Sequence, residues 1–357
     1  MDTQQKLSID HILATVAEQR ASDLHFSVGS PPILRIDEKL VTIDDVAIVT
    51  KEFMEEFVAS FLDTDQLRTL HENREVILAY QYQKQARFRV NIFYQKGVLA
   101  AYFRLIGNRI PPLEQLGLPP ILQQLAGLPE GLIIISGSFG SGKTTTAASI
   151  IEHVNQERSA YILTVERPIE YIFANRRSII EQREVGRDAV SFESALATTT
   201  QEDVNVLFLS ELPSAAVIRQ VLTIAGSGRL VLANLEADTV AKSLELITNS
   251  FPSNEQQQVR EQLSLVLAGI VCQRLVPRIG GGQIAVAEVL TSTPPVRALL
   301  KEGSFYQLGN IIQTSRAEGM VPLDWSLAEL VKLNQITIEE ALEKAVDPQQ
   351  LRYMLRT

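Results

Sequence analysis

The chain has 357 residues, of which 45% are hydrophobic and 21% charged. That is enough to bury a sizeable core and, at roughly 150 residues per domain, to form about two domains. Its 33 basic and 42 acidic residues give a net charge of −9, which argues against a general nucleic-acid binder. A single cysteine, Cys272, excludes an internal disulfide and a thiolate zinc site.

The four histidines are His11, His25, His71 and His153, so no imidazole cluster can form beyond residue 153. The longest mostly apolar stretch, LSLVLAGIVC from Leu263 to Cys272, falls short of the roughly 18 residues needed to cross a bilayer. No transmembrane segment is expected. The start, MDTQQKLSIDHILATVAEQR, lacks the pattern of a secretory signal, and the expected compartment is the cytoplasm.

From Lys6 to about Ile106 the pattern mixes a short helix (IDHILATVAEQ), strand-like runs (ILRI, EVILAYQYQ, ARFRVNIFY, VLAAYFRLI) and one helix near Lys51 to Leu70. This reads as a small α+β domain over 1–106. GNRIPPLEQLGLPP, with four of the chain's 15 prolines, marks a linker at 107–120. Beyond it, apolar runs (GLIIIS, YILTVE, VNVLFLS, RLVLAN, QIAVAEVL) alternate with helical ones, which predicts a mainly parallel sheet covered on both faces over 121–292. Short helices such as PVRALLKE, LDWSLAELVKL and TIEEALEKA fill 293–357. Cys272 is expected as a small buried hydrophobe in a helical run, and Trp325 as a packing anchor between the last helices.

The strongest signal is GSFGSGKT. Gly137, Ser138, Phe139, Gly140, Ser141, Gly142, Lys143 and Thr144 match the phosphate-loop pattern at every fixed position, with Thr145 following. A chance match in such a chain is on the order of one in a hundred, and this one lies between an apolar strand and a helix, as the motif requires. Glycines let backbone N–H groups close around phosphates, the helix start adds a positive dipole end, and Lys143 supplies charge to the β and γ phosphates. Thr144 is the expected Mg2+ ligand.

Catalysis also needs an acidic residue at the carboxyl end of a neighbouring strand. Glu211, after VNVLFLS, fits this and would polarise the attacking water or act through Mg2+; otherwise it caps the next helix. Glu166, ending YILTVE, is a second candidate, or else a solvated loop residue. Arg87 and Arg89 alternate with Phe88 and Val90 and so share one strand face, and Arg104 lies on the next run. These three are either solvent-face charges or arginine fingers that reach a nucleotide held by a neighbouring domain or subunit.

Taken together, these residues resemble the type IV pilus retraction ATPases of twitching motility, within the wider secretion-ATPase superfamily. The likeness spans nearly the whole chain. ASDLHFSVGSPPILRI resembles the family's amino-terminal signature, RFRVN and the later FR its arginine-bearing strands, ILTVERPIEY its acidic box and QREVGRD its QREV segment. PPVRALLKEG resembles the helix associated with retraction rather than assembly motors. The resemblance implies a PAS-like amino-terminal domain joined to a RecA-like ATPase domain. It also implies a ring of six subunits that hydrolyses ATP with Mg2+, with nucleotide between the domains and arginines closing the site. The partners it implies are the platform protein of the inner membrane, on which the ring would sit peripherally, and a paralogous motor ATPase.

Departures accompany the matches. The acidic box reads Glu166-Arg167-Pro168 where the family has Glu-Asp-Pro. The segment before the Glu211 strand reads Gln201-Glu202-Asp203-Val204-Asn205, and Arg229 and Glu236 stand where the family has histidines. Arg167 and Arg229 could still stabilise phosphate charge, whereas Glu236 would repel it. Three readings therefore stay open: an active retraction motor, a catalytically weak or inactive paralogue that binds ATP and regulates the motor, and a related secretion or assembly ATPase.

Overall fold

The computed structural model describes residues 9–19, 21–36, 39–43, 46–82, 86–106 and 110–356, apart from the side chains of Asp10, His11 and Ala17. Gly107–Arg109 of the expected linker and the His11 side chain thus lie outside the described residues. The chain forms two compact units. The first takes Met1–Arg109 together with Arg167–Ile172, and the second takes Ile110–Glu166 and Phe173–Thr357.

The first unit runs α1 (Ile9–Glu18), β1 (Asp23–Ser27), β2 (Ile33–Ile36), β3 (Lys39–Thr42), α2 (Lys51–Phe61), α3 (Thr64–Asn73), β4 (Glu75–Tyr82), β5 (Ala86–Gln95) and β6 (Val98–Ile106). Its antiparallel sheet has the order β3-β2-β1-β6-β5-β4. Strict alternation along β5 buries Ala86, Phe88, Val90 and Ile92 and turns Arg87, Arg89 and Asn91 to the other face. The buried face carries Phe26, Phe88 and Phe103 with Phe57 of α2, whose ring lies 6.1 Å from that of Phe103. Each such side chain contributes about 1.5–3 kcal/mol of apolar burial. The single helix expected near Lys51–Leu70 is two helices. Asp63 breaks it by accepting the Gln66 N–H at 2.9 Å, while the Gln66 side chain accepts the Asp63 N–H, a reciprocal cap that starts a new helix.

On the polar face, Arg35, Asp23, Arg104 and Arg89 stand in one cross-strand row. Asp23 is 2% exposed and accepts hydrogen bonds from Arg104 Nε at 2.9 Å, Ser22 Oγ at 2.7 Å and the Tyr102 hydroxyl. Burial alone would raise its carboxyl, but the bonds from Tyr102, Arg104 and Ser22 outweigh it and hold the group below its ordinary 3.8. A carboxylate depressed in the folded state stabilises fully above its unfolded value, and that stabilisation is lost as pH falls through the folded one. Asp23→Asn is therefore expected to cost about 1–3 kcal/mol at neutral pH and to flatten the loss of stability below pH 3.8. Denaturant titrations at pH 7 and pH 3 check both.

The second unit comprises α4 (Ile121–Ala126), β7 (Gly131–Ser136), α5 (Lys143–Glu157), β8 (Tyr161–Glu166), β9 (Ile179–Glu184), α6 (Phe192–Ala197), β10 (Val206–Leu209), α7 (Ala215–Ala225), β11 (Leu230–Leu235), α8 (Val240–Asn249), α9 (Gln256–Val266), β12 (Leu267–Pro277), β13 (Gln283–Thr291), α10 (Pro294–Glu302), α11 (Leu308–Thr314), α12 (Leu323–Lys332), α13 (Ile338–Lys344) and α14 (Pro348–Arg356). The sheet order is β13-β12-β7-β11-β10-β8-β9, parallel except for β13. Alternate residues serve two cores. Ile133, Ile135, Ile162, Phe208 and Leu232 pack with Ile150 and Val154 of α5, while Leu132, Leu163, Leu207 and Val231 pack under α7 to α9.

Cys272 is buried as expected but lies in strand β12, not in a helix. The apolar run 263–272 straddles the junction where α9 ends and β12 begins, so neither period shows cleanly across it. Trp325 is no core anchor. The carboxyl-terminal helices pack through Leu323, Leu327, Leu330, Ile336, Ala341 and Leu351, while the indole is half-buried with the Arg316 guanidinium 3.3 Å from its ring centre.

Candidate functional site

The loop from Gly137 to Gly142 joins the inner strand β7 to α5. Gly137, Gly140 and Gly142 have φ of 151°, 77° and 86°, conformations that side chains rarely adopt. A Cβ on Gly137 would come within 2.4 Å of Gln273 O and Ser141 Oγ, so the loop can follow this path only with glycine there. Gln273 of β12 fastens it, donating from Nε2 to Ser141 O at 2.7 Å. Lys143 Nζ folds over it onto the carbonyls of Gly137 and Ser138, both at 2.8 Å. The first bond inside α5 runs from the Thr146 N–H to Gly142 O, so the N–H groups of Lys143, Thr144 and Thr145 point out of the helix end. Together with the α5 dipole they suit an anion.

The other sequence-derived groups distribute by strand end. Glu166, at the carboxyl end of β8, is 2% exposed and is not a solvated loop residue. It accepts bonds from Thr164 Oγ1 at 2.6 Å and Gln182 Nε2 at 3.2 Å. Glu211 stands two residues beyond β10 and is half-buried. It does not cap α7, since Ser214 Oγ accepts the Val217 N–H there. With strands about 4.8 Å apart, the ends of β10 and β8 lie roughly 10 and 14 Å from that of β7.

Sequence reasoning passed over Asn234. It lies on β11 opposite Ile135 of β7, is 2% exposed, and its Oδ1 has no hydrogen-bond partner. It shares the α5 face with Leu230 and Leu232. A polar residue in the run RLVLAN, at the end where parallel sheets place their chemistry, was the available signal. The glycine cradle and outward N–H groups fit a nucleotide phosphate, and the unpartnered, buried Oδ1 of Asn234, an acceptor, suits the accompanying cation or its water. Thr144, half-buried in the first turn of α5, is the residue that would hold Mg2+.

Two departures noted in the sequence sit far from this chemistry. Arg229 and Asn205 precede β11 and β10, at the amino ends of those strands. Arg229 bonds to Ser227 Oγ at 2.7 Å and to the carbonyls of Thr200 and Glu202, both at 3.3 Å. Asn205 Oδ1 accepts the Tyr161 N–H at 2.8 Å. Six residues of extended chain separate Arg229 from Leu235, about 20 Å, so Arg229 cannot stabilise phosphate charge from there. Glu236, exposed just past the carboxyl end of β11, and Arg167, just past that of β8, stand at the carboxyl edge of the sheet. Asn205→Asp is accordingly expected to leave steady-state ATP hydrolysis within about twofold, because an aspartate can accept the same Tyr161 N–H.

In the first unit, Arg87 donates from Nη2 to Ile169 O at 2.8 Å and Arg89 Nη1 pairs with Glu170 at 3.3 Å, so both grip the segment Arg167–Ile172. Arg104 is held by Asp23. None of the three is a simple solvent-face charge.

A mainly parallel sheet with a phosphate loop after the inner strand β7, an acidic residue beyond β10 and one further strand, β11, between the two defines a RecA-like P-loop ATPase core, here following a PAS-like α+β unit. The chain matches the family described as "Type II/IV secretion system protein" over residues 2–282, and it belongs to that family. It is 34% identical to the type IV pilus retraction ATPase PilT of Pseudomonas aeruginosa over 96% of this chain and 99% of that protein. It is 35% identical to the type IV pilus ATPase PilU of the same organism, over 98% and 92%. A crystal structure of the pilus retraction motor PilT with bound ADP superimposes with a TM-score of 0.84 at 36% identity, covering 97% of this chain and 99% of that one.

Proposed function

We propose that this chain is an ATP-hydrolysing motor that drives retraction of a type IV pilus. The observation that carries the reading is the complete phosphate loop, fastened by Gln273 and flanked on the neighbouring strand by buried Asn234. The end-to-end likeness to PilT supports the pilus assignment. In this reading residues 137–145 hold ATP, Glu211 orients the attacking water, and Glu166 with its Thr164 and Gln182 bonds supports the charge at that edge. Mg2+ at Thr144 would neutralise part of the phosphate charge. Arg87, Arg89 and Arg104 are assigned as the finger residues of an assembled ring of six.

We assign 1–106 to the PAS-like part, 107–120 to the linker, 121–292 to the ATPase core, apart from Arg167–Ile172, which joins the first unit, and 293–357 to the helical end. No helix among the described residues is long and apolar enough to cross a membrane. By its likeness to the pilus motors PilT and PilU we place it in the cytoplasm, attached to the inner membrane through the pilus platform protein and working beside a paralogous ATPase. A second reading, nucleotide binding with little turnover, draws on the exposed carboxylate of Glu236 at the loop edge.

Hydrolysis by the purified chain, with Lys143→Ala as blank, separates the two readings. Twitching of a deletion strain complemented with each version tests the pilus assignment. Turnover above the blank, with motility restored by the wild-type chain alone, is expected; turnover without restored motility would overturn the pilus assignment, and tight binding without turnover would favour the second reading.

A further inference from the structure

Strand β12 runs beside β7, and successive side chains on it serve two loops from opposite faces of the sheet. Gln273 turns to one face and donates to Ser141 O of the phosphate loop at 2.7 Å. Cys272 and Arg274 turn to the other, where they meet the loop 236–239 that leads from β11 into α8. The Cys272 thiol donates to Ala237 O at 3.5 Å, and Arg274 Nη2 donates to Asp238 O at 3.2 Å. Glu288 of β13, paired opposite Cys272, shares that face and accepts the N–H of Val240, the first residue of α8, at 3.0 Å. The β12–β13 hairpin thus fastens the loop that carries Glu236 and follows Asn234 and Leu235.

Arg274 holds more than this loop. Its Nη1 donates to Lys344 O at 3.1 Å, on the last residue of α13. The turn that follows is pinned from α12, because the Asp324 carboxylate, 6% exposed, accepts the N–H groups of Val346 at 2.7 Å and Asp347 at 2.8 Å. One guanidinium therefore ties the loop after β11 to the carboxyl-terminal helices. Its donors form a rigid fork, so the group between the two carbonyls sets their separation.

We propose that Arg274 is a positioning residue for ATP hydrolysis: braced on the turn after α13, it fixes the loop 236–239, and with it the placing of Asn234 and Glu236 relative to the phosphate loop that Gln273 holds from the other face. The proposal rests on the motor reading above. Its effect runs through the backbone of the loop and not through contact with the phosphates, which are retained by the glycine cradle and Lys143. Removing the brace therefore alters turnover and spares affinity. A misplacement of about 1 Å at a reacting centre lowers the rate about a hundredfold.

The test compares hydrolysis per bound ATP in the full-length wild-type chain, Arg274→Met and Arg274→Lys, with occupancy measured separately by equilibrium dialysis. Arg274→Met keeps an apolar stem and removes both bonds. Its ATP affinity is expected within about twofold of wild type and its turnover about ten- to a hundredfold lower. Arg274→Lys, which still reaches one carbonyl, should recover part of the rate. Amide exchange over residues 236–243 should quicken in Arg274→Met. Asp324→Ala, which frees the turn, should lower turnover in the wild-type background and add little to Arg274→Met, where the brace is already lost. Wild-type turnover per bound ATP in Arg274→Met, or unchanged amide exchange there, overturns the proposal, as does a full additional loss from Asp324→Ala in the Arg274→Met background. Affinity that falls as far as turnover would make Arg274 a binding group and overturn the positioning role. Should Arg274→Met not fold, a wild-type rate in Arg274→Lys overturns the proposal by itself. A wild-type chain that does not turn over ATP overturns the motor reading and this proposal with it.

Discussion

Lys143→Ala is expected to yield a folded protein that no longer retains nucleotide. The ammonium is held over the loop by the carbonyls of Gly137 and Ser138 at 2.8 Å, where it would meet the β and γ phosphates. Two charge-assisted bonds to phosphate, at about 1.5–3 kcal/mol each, amount to roughly a hundredfold or more in affinity. The fold does not depend on this side chain. Helix α5 is anchored by Ile150, Ile151 and Val154, all at most 1% exposed, and alanine is the strongest helix former at the position vacated. Equilibrium dialysis should show the loss, and a thermal melt should move by no more than a few degrees. Unchanged ATP affinity would remove the phosphate-loop assignment.

Glu211→Gln is expected to separate binding from chemistry. The substitution keeps shape and hydrogen bonding but removes the base, and loss of a positioned general base lowers turnover about 10²- to 10⁴-fold. Bound ATP should then persist on the protein, as seen by filter binding followed by chromatography of the released nucleotide. Turnover unaffected by Glu211→Gln would transfer the role to Glu166, whose carboxylate lies one strand farther from the loop but is already buried and oriented by Thr164 and Gln182.

The phosphate loop was legible in the sequence because its requirements are local: glycines at positive φ, one lysine, and a strand and a helix on either side. The alternation of Arg87 and Arg89 with Phe88 was legible for the same reason, since period two is a property of a single strand. What depended on long-range pairing was harder to read. The segment of β12 reads as helix in the sequence because its first residues continue the apolar run of α9, and only pairing with β7 and β13 settles its state. Asp23 looked like one residue of a signature, yet its burial arises from three strands that put Arg35 and Arg104 on either side of it. Arg229 reads in the sequence as a group that could still stabilise phosphate charge and Asn205 as part of a departing segment, yet both precede their strands, and in a parallel sheet the chemistry gathers at the opposite ends.

The segment Arg167–Ile172 lies in sequence between β8 and β9 of the second unit yet belongs to the first. The covalent chain therefore passes between the units three times, not once. A gene cut after codon 109 would not release a self-sufficient amino-terminal protein, because the hexapeptide gripped by Arg87 and Arg89 would stay behind with the other fragment. Neither half could be exchanged for that of a relative by a single crossover without mismatching this segment.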